Sequence, residues 1–363
     1  MEGLVMGFSL WQGKSVFITG HTGFKGSWLA LWLKQLGAEV TGYALPPETQ
    51  PNLFGLAGVA EVLARHHERD IRDLAGLTAA MHAAAPDFVF HLAAQPLVRR
   101  SYREPLETWE VNVMGTAHLL EVIRSCPCVK GVIVVTSDKC YENREWRRRG
   151  YSESDPLGGH DPYAASKAGA ELVVQSYRQS FFAAGGPLLA SVRAGNVIGG
   201  GDFSEDRLLP DAARAVVAKQ SLLLRNPCAT RPWQHVLSAL HGYLLLAEHL
   251  LAGDASFAEP FNFGPDAADN LTVLEVLHRL YHYWPALAWR VAAAASASAP
   301  HESQFLYLDS AKARQRLGWE PAWNLETGLQ QTAMWYDAWG WGADMAAVTR
   351  GQIEEYWHVA SAS

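Results

Sequence analysis

Ser15-Val16-Phe17-Ile18-Thr19-Gly20-His21-Thr22-Gly23-Phe24-Lys25-Gly26 is the stretch that decides the fold. Five β-prone residues stop at a glycine. Glycines then recur at 20, 23 and 26, and Trp28, Leu29, Trp32, Leu33 and Leu36 follow at helical spacing. This reads as strand, tight turn, helix. The first glycine makes the turn, the second lets backbone approach a pyrophosphate, and the third lets helix and strand pack closely. The helix N-terminus adds free N–H groups and partial positive charge for phosphates. A dinucleotide is therefore expected along Gly20, Thr22, Gly23, Phe24, Lys25 and Gly26.

Further strands follow at the residues after Gly37, at Phe88–Leu92 and at Val132–Val135, with helical patterns around 73–84 and 108–125. Alternating strands and helices predict an α/β, Rossmann-like doubly wound parallel sheet. The alternation ends after Ser191–Gly195, with helices expected near 209–220 and 236–251. The expected organisation is an NAD-binding Rossmann domain over 1–195 plus about 235–258. A smaller C-terminal α/β substrate-binding domain takes about 196–234 and 259–363. Tyr43-Ala44-Leu45 replaces the usual acidic residue after the second strand, and no Arg or Lys follows to hold a 2′-phosphate. NAD is expected over NADP. Asp70 and Ile71 open the segment after the third strand, where a carboxylate accepts from an adenine amino group. Ala93, Ala94 and Gln95 follow the strand at 88–92 and suit the cofactor's ribose.

Of 363 residues, 49% are hydrophobic and 18% charged, which predicts a large core and no extended disorder. A net charge of -7 gives no electrostatic basis for nucleic acid as a partner. The basic run Arg147-Arg148-Arg149 reads as a solvated loop. The four cysteines form no C-x-x-C pair and no zinc spacing. His278 and His282 stand i,i+4 but lack a third ligand, so no metal is expected. Met1–Trp11 lacks the features of a signal peptide, and no apolar run reaches membrane-spanning length. A cytoplasmic enzyme with no membrane partner is the expectation.

Asp161-Pro162 looks like a helix start, with Asp at the N-cap and Pro at N1. Tyr163 and Lys167 then share a face. A phenol must fall by about 3 units, or about 4 kcal/mol, to act as a base near neutrality. One ammonium at about 4 Å supplies about that much at an effective dielectric of about 20. Tyr163 can thus deprotonate an alcohol as hydride leaves the same carbon, with Ser137 orienting the hydroxyl. Asp138 and Lys139 follow Ser137 directly. A simple dehydrogenase has no use for that pair. An enzyme that oxidises a sugar at C4 and then removes water across C5–C6 needs both an acid and a base. Asp138 as acid with Lys139 as base is one assignment, and the reverse is the other.

These residues carry a resemblance. The chain resembles the extended short-chain dehydrogenase/reductases (the NAD-dependent epimerase/dehydratase family), and within them the nucleotide-sugar 4,6-dehydratases that act on CDP-glucose. The similarity rests on Gly20–Trp28, His91–Val98, Thr136–Tyr141, Arg193–Asp202, Asp206–Asp211, Arg231–Val236, Phe261–Pro265 and Pro300-His301-Glu302. It implies C4 oxidation by bound NAD, loss of water and hydride return to C6. The implied product is CDP-4-keto-6-deoxyglucose, for deoxysugar biosynthesis of the lipopolysaccharide O-antigen type. It implies that Asn112 supports Lys167 and that Asn196, Arg207, Arg231, Asn262 and His301 hold the substrate. It also implies a homodimer built from helices near 108–125 and 163–183. Lys139 stands where dTDP- and GDP-sugar relatives carry Glu. The alternative is a nucleotide-sugar epimerase or reductase of the same fold, which needs no acid/base pair beside Ser137.

Overall fold

A computed structural model describes residues 10–146, 149–292 and 305–362. Its centre is a seven-stranded, all-parallel sheet. The strands are β1 (Ser15–Thr19), β2 (Glu39–Ala44), β3 (Arg65–Glu68), β4 (Phe88–His91), β5 (Gly131–Val135), β6 (Leu188–Ala194) and β7 (Pro260–Phe263). They lie in the order β7-β6-β5-β4-β1-β2-β3. Because the sheet is covered on both faces, its inner strands are largely apolar and alternate between two cores, while the edge strand β3 (Arg-His-His-Glu) is mostly exposed. Val16, Ile18, Phe88, Phe90 and Ile133 face one core. Phe17, Val89, Val132 and Val134 face the other.

The first core is closed by α1 (Phe24–Gln35) and α6 (Val236–Leu251), and the second by α2 (Leu74–Ala84), α3 (Gly115–Arg124) and α4 (Pro162–Tyr177). The helix read at 108–125 begins at Pro105 and passes through a π-helical turn at Glu110–Met114 before α3. Strand order reverses between β1 and β4. The carboxyl ends of the strands therefore open a crevice at that point, where such sheets bind ligands.

Pro260–Phe263, expected in the second unit, pairs in parallel with β6, Phe261 opposite Val192, and adds the last strand of the central sheet. The rest of the second region consists of short ladders. Val197–Ile198 pairs with Gln234–His235, Thr230–Pro232 with Asn270–Thr272, and Ser221–Leu224 with Ala288–Val291. The helix α5 (Leu208–Ala218) packs beside them. Two C-terminal helices, α7 (Leu325–Gly340) and α8 (Met345–Ala362), close the first core from outside, with Trp32 edge-on to Tyr356. Gly200 shows why the Gly199–Gly201 run is glycine: a Cβ there would meet Trp335 Cγ at 1.9 Å.

Candidate active site

The crevice is a cavity of about 1130 Å³ between the sheet's carboxyl end and the short ladders. That exceeds an ordinary small-ligand pocket and suits two nucleotides end to end. Its floor is the glycine turn. A Cβ on Gly20 would meet Ala93 N at 2.6 Å, and one on Gly26 would meet Gly20 O at 2.2 Å. Only glycine lets these segments approach so closely. The N-cap of α1, Gly23, makes no side-chain cap, so the first N–H groups of the helix are left for a ligand. Thr22 donates to Leu45 O at 2.8 Å and ties the turn to the end of β2.

Gly20, Thr22, Gly23, Phe24, Lys25, Gly26, Asp70, Ile71, Ala93 and Ala94 all line the cavity. The Asp70 carboxylate is already engaged by the Arg72 guanidinium, Nη2 to Oδ2 at 2.7 Å, which holds it below the usual carboxylate range. Gln95 and Asn112 lie behind the wall instead. Asn112 Oδ1 accepts from Gln95 N at 2.8 Å, while its Nδ2 donates to Ser166 Oγ at 2.8 Å. Asn112 therefore braces the helix that carries Tyr163 and Lys167, through Ser166.

β5 ends at Val135, and the chain turns through a 3₁₀ segment, Asp138–Cys140, with Ser137 as its N-cap. Ser137 Oγ accepts from Lys139 N at 3.2 Å and donates to Asp138 Oδ1 at 2.9 Å. Asp138 is almost wholly buried, and its Oδ2 has no hydrogen-bond partner. Burial raises its carboxyl pKa, against the pull of Lys139, Ser137, Arg231 and Lys25. The group is thus biased toward its proton-carrying form.

Across the cavity, Asp161 caps α4 by accepting from Ala164 N at 2.8 Å, with Pro162 in the first turn, as its sequence indicates. Tyr163 N donates to Ser101 Oγ at 3.2 Å, and Lys167 Nζ donates to Val135 O at 3.4 Å. Ser137, Asp138, Lys139, Tyr163 and Lys167 all line the same cavity. Burial lowers Lys167 to about 8, against the upward pull of Cys140 and Glu171. Burial pushes Tyr163 up to about 12, against the downward pull of the Ser137 hydrogen bond. The ammonium effect argued from sequence does not appear among the causes that move Tyr163: Arg207 is the cation that pulls it down, and Lys167 donates to Val135 O instead.

Asn196, Arg207 and Arg231 line the far side of the cavity. Arg207 Nη1 donates to Asp202 Oδ2 at 3.0 Å, and that carboxylate raises the guanidinium pKa further. Lys25, Lys139, Lys167, Arg207 and Arg231 give this space a cationic balance suited to a diphosphate. Asn262, expected at the substrate, lies apart from these three. It is fully buried and does not reach the cavity; it accepts from Tyr141 Oη at 2.7 Å and donates to Tyr151 O at 2.8 Å. The resemblance carries over its position, but its side chain, on β7, is spent on Tyr141 and Tyr151. His301 lies outside the described residues. Sequence reading also missed Ser101 and Glu171. Glu171 had a signal, because it continues the i,i+4 face of Tyr163 and Lys167 by one more turn.

The family model described as GDP-mannose 4,6 dehydratase matches residues 17–332. Over 354 residues the chain is 47% identical to CDP-glucose 4,6-dehydratase of Salmonella typhimurium strain LT2, covering 96% of this chain and 97% of that one. A double mutant of the dTDP-glucose 4,6-dehydratase DesIV from Streptomyces venezuelae, solved with NAD bound, aligns with a TM-score of 0.74 at 26% identity. That alignment covers 89% of this chain and 96% of DesIV. The epimerase Mth375 of Methanothermobacter thermautotrophicus aligns with a TM-score of 0.79 over 93% and 96% of the two chains, at 22% identity that speaks to the fold alone. The chain belongs to the GDP-mannose 4,6 dehydratase family of nucleotide-sugar 4,6-dehydratases.

Proposed function

We propose that this protein is a CDP-glucose 4,6-dehydratase, a hydro-lyase that converts CDP-D-glucose to CDP-4-keto-6-deoxy-D-glucose and water. One observation carries the reading. A buried, upward-shifted carboxyl with an unpartnered oxygen, Asp138, stands beside Ser137 in the cavity that also holds Tyr163 and Lys167. Oxidation alone needs no such group; elimination of a hydroxyl does.

Gly20, Gly23, Lys25 and Gly26 along the glycine turn would hold NAD, which would supply the hydride acceptor for C4 and the hydride for C6. Tyr163 takes the C4 hydroxyl proton while Ser137 orients that hydroxyl. Lys167 holds positive charge beside the phenol. The C4 ketone acidifies the neighbouring C5 proton, which Lys139 removes and, once water has left, returns to C5 as hydride adds to C6. Asp138 protonates the departing C6 hydroxyl, which leaves as water. Its upward shift favours this assignment over the reverse. Arg207, Arg231 and Asn196 are assigned to the nucleotide diphosphate.

A homodimer fits the exposed apolar side chains on the helices around 105–124 and on α4, such as Leu106 at 76% and Leu172 at 57% exposure. A two-unit organisation, with β7 moved into the cofactor-binding unit, and a cytoplasmic location complete the proposal. Among the described residues no helix is long and apolar enough to cross a membrane. The test is incubation with CDP-, dTDP-, GDP- and UDP-glucose without added cofactor, scoring the 4-keto product by its absorbance in alkali. Preference for CDP-glucose supports the reading. A product epimerised at C4, with no keto sugar, contradicts it.

A further inference from the structure

The helix that carries Tyr163 and Lys167 is joined to β6 by a buried ion pair that no step of the proposed reaction uses. Glu171 lies on α4, eight residues after Tyr163 and four after Lys167. Arg193 lies on β6. Their contact is bidentate: Arg193 Nε donates to Oε1 at 2.9 Å and Nη2 donates to Oε2 at 2.8 Å. Both side chains are about 3% exposed. Burial pushes the Glu171 carboxyl up, but Arg193 and hydrogen bonds from Thr136 and Ser191 override it and hold the group below its usual range.

The pair has hold of the chain on both sides of the reactive turn. Before the turn, Thr136 Oγ1 donates to Glu171 Oε1 at 2.5 Å. After it, Tyr141 Oη accepts from Arg193 Nη1 at 2.8 Å and donates to Asn262 Oδ1. Thr136 and Tyr141 bracket Ser137, Asp138, Lys139 and Cys140. The aromatic rings extend the anchor, with Tyr141 stacked on Tyr151 at 5.3 Å and Tyr151 on Trp146 at 4.8 Å. A buried ion pair gains little net stability over apolar packing, because desolvation offsets the Coulomb attraction. What it supplies here is a fixed, directional junction.

We propose that Glu171 and Arg193 form a positioning pair: acting through Thr136 and Tyr141, they fix the Ser137–Lys139 turn against the helix that carries Tyr163 and Lys167. The proposal rests on the dehydratase reading. It also accounts for Asn262, whose side chain completes this anchor and does not face the substrate.

The test removes one hydroxyl from each grip and leaves the ion pair in place. Thr136→Val and Tyr141→Phe are each expected to lower kcat by about 10–100-fold, the scale of a small misplacement at a reacting centre. KM for CDP-glucose should stay within about twofold in both, since the two hydroxyls are already engaged by Glu171, Arg193 and Asn262. Thr136→Ser, which restores the donor, should recover most of kcat. A second readout needs no turnover. The ultraviolet titration assigned to Tyr163, taken as the difference from Tyr163→Phe in each background, should move upward in Thr136→Val as Ser137 shifts away. Wild-type kcat in both variants would overturn the proposal. So would an unmoved phenol titration, or a lowered thermal midpoint with kcat intact. A wild-type protein inactive on CDP-glucose would instead sink the dehydratase reading, and the phenol titration would still decide the positioning.

Discussion

Replacing Asp138 with Asn separates the oxidation from the elimination. The side chain is buried, Oδ1 accepts from Ser137 at 2.9 Å, and Oδ2 has no partner. An amide of nearly the same shape fits this space but delivers no acid proton. Loss of a positioned general acid costs about 10²–10⁴ in rate. At 1.36 kcal/mol per decade that is about 3–5 kcal/mol on the elimination barrier. The C4 step keeps Tyr163, Ser137 and Lys167, so reduced nicotinamide should accumulate on the protein after mixing with CDP-glucose, while keto-sugar release nearly stops. Stability should move the other way. A carboxyl raised by burial binds its proton more tightly when folded, so the wild type loses stability as pH rises from the unfolded pKa through the folded one. The Asn variant escapes that loss. Its thermal midpoint should equal or exceed wild type at pH 8, with the gap closing in acid. Stopped-flow absorbance and scanning calorimetry read the two effects. An Asp138→Asn enzyme with wild-type turnover refutes the assignment of the acid.

Tyr163→Phe should lower turnover by about 10²–10⁴ while bound NAD, measured after denaturation, stays at the wild-type level. Lys139→Ala should stop solvent deuterium from entering C5 but leave hydride exchange at C4; normal C5 exchange removes Lys139 as the base. Burial takes Lys167 from its ordinary 10.5 to about 8, so the cost of its buried charge is present below about 8 and fades between 8 and 10.5. Lys167→Met should therefore raise the thermal midpoint at pH 7, with the gain vanishing near pH 10.5, and should abolish activity. A gain that persists unchanged at high pH contradicts the titration argument.

The core of the fold was legible because its signals are local. β1, the glycine turn and α1 follow from spacing within about two dozen residues. α6 was read at its observed limits, since its apolar pattern is continuous from Val236 to Leu251. β7 was misplaced because four residues, Pro-Phe-Asn-Phe, do not say which sheet they join; only the pairing with β6 does. The π-helical turn at Glu110–Met114 carries no distinctive composition, and it places Asn112 against Gln95 and Ser166. In the site, Tyr163, Lys167 and Ser137 were legible through a helix start and a strand end. Asn262 was not, because a motif transfers a position and not the direction of a side chain. Glu171 was passed over although it lies on the face already named. Its partner, Arg193, is distant in sequence, and only the sheet brings the two together.

The central claim is that one hydride leaves C4 and returns to C6 of the same sugar. CDP-glucose deuterated at C4, converted by the purified protein in ordinary water, measures this directly by NMR of the product. The account predicts deuterium in the C6 methyl group of the keto sugar. Deuterium retained at an inverted C4, or lost from the sugar altogether, would contradict it.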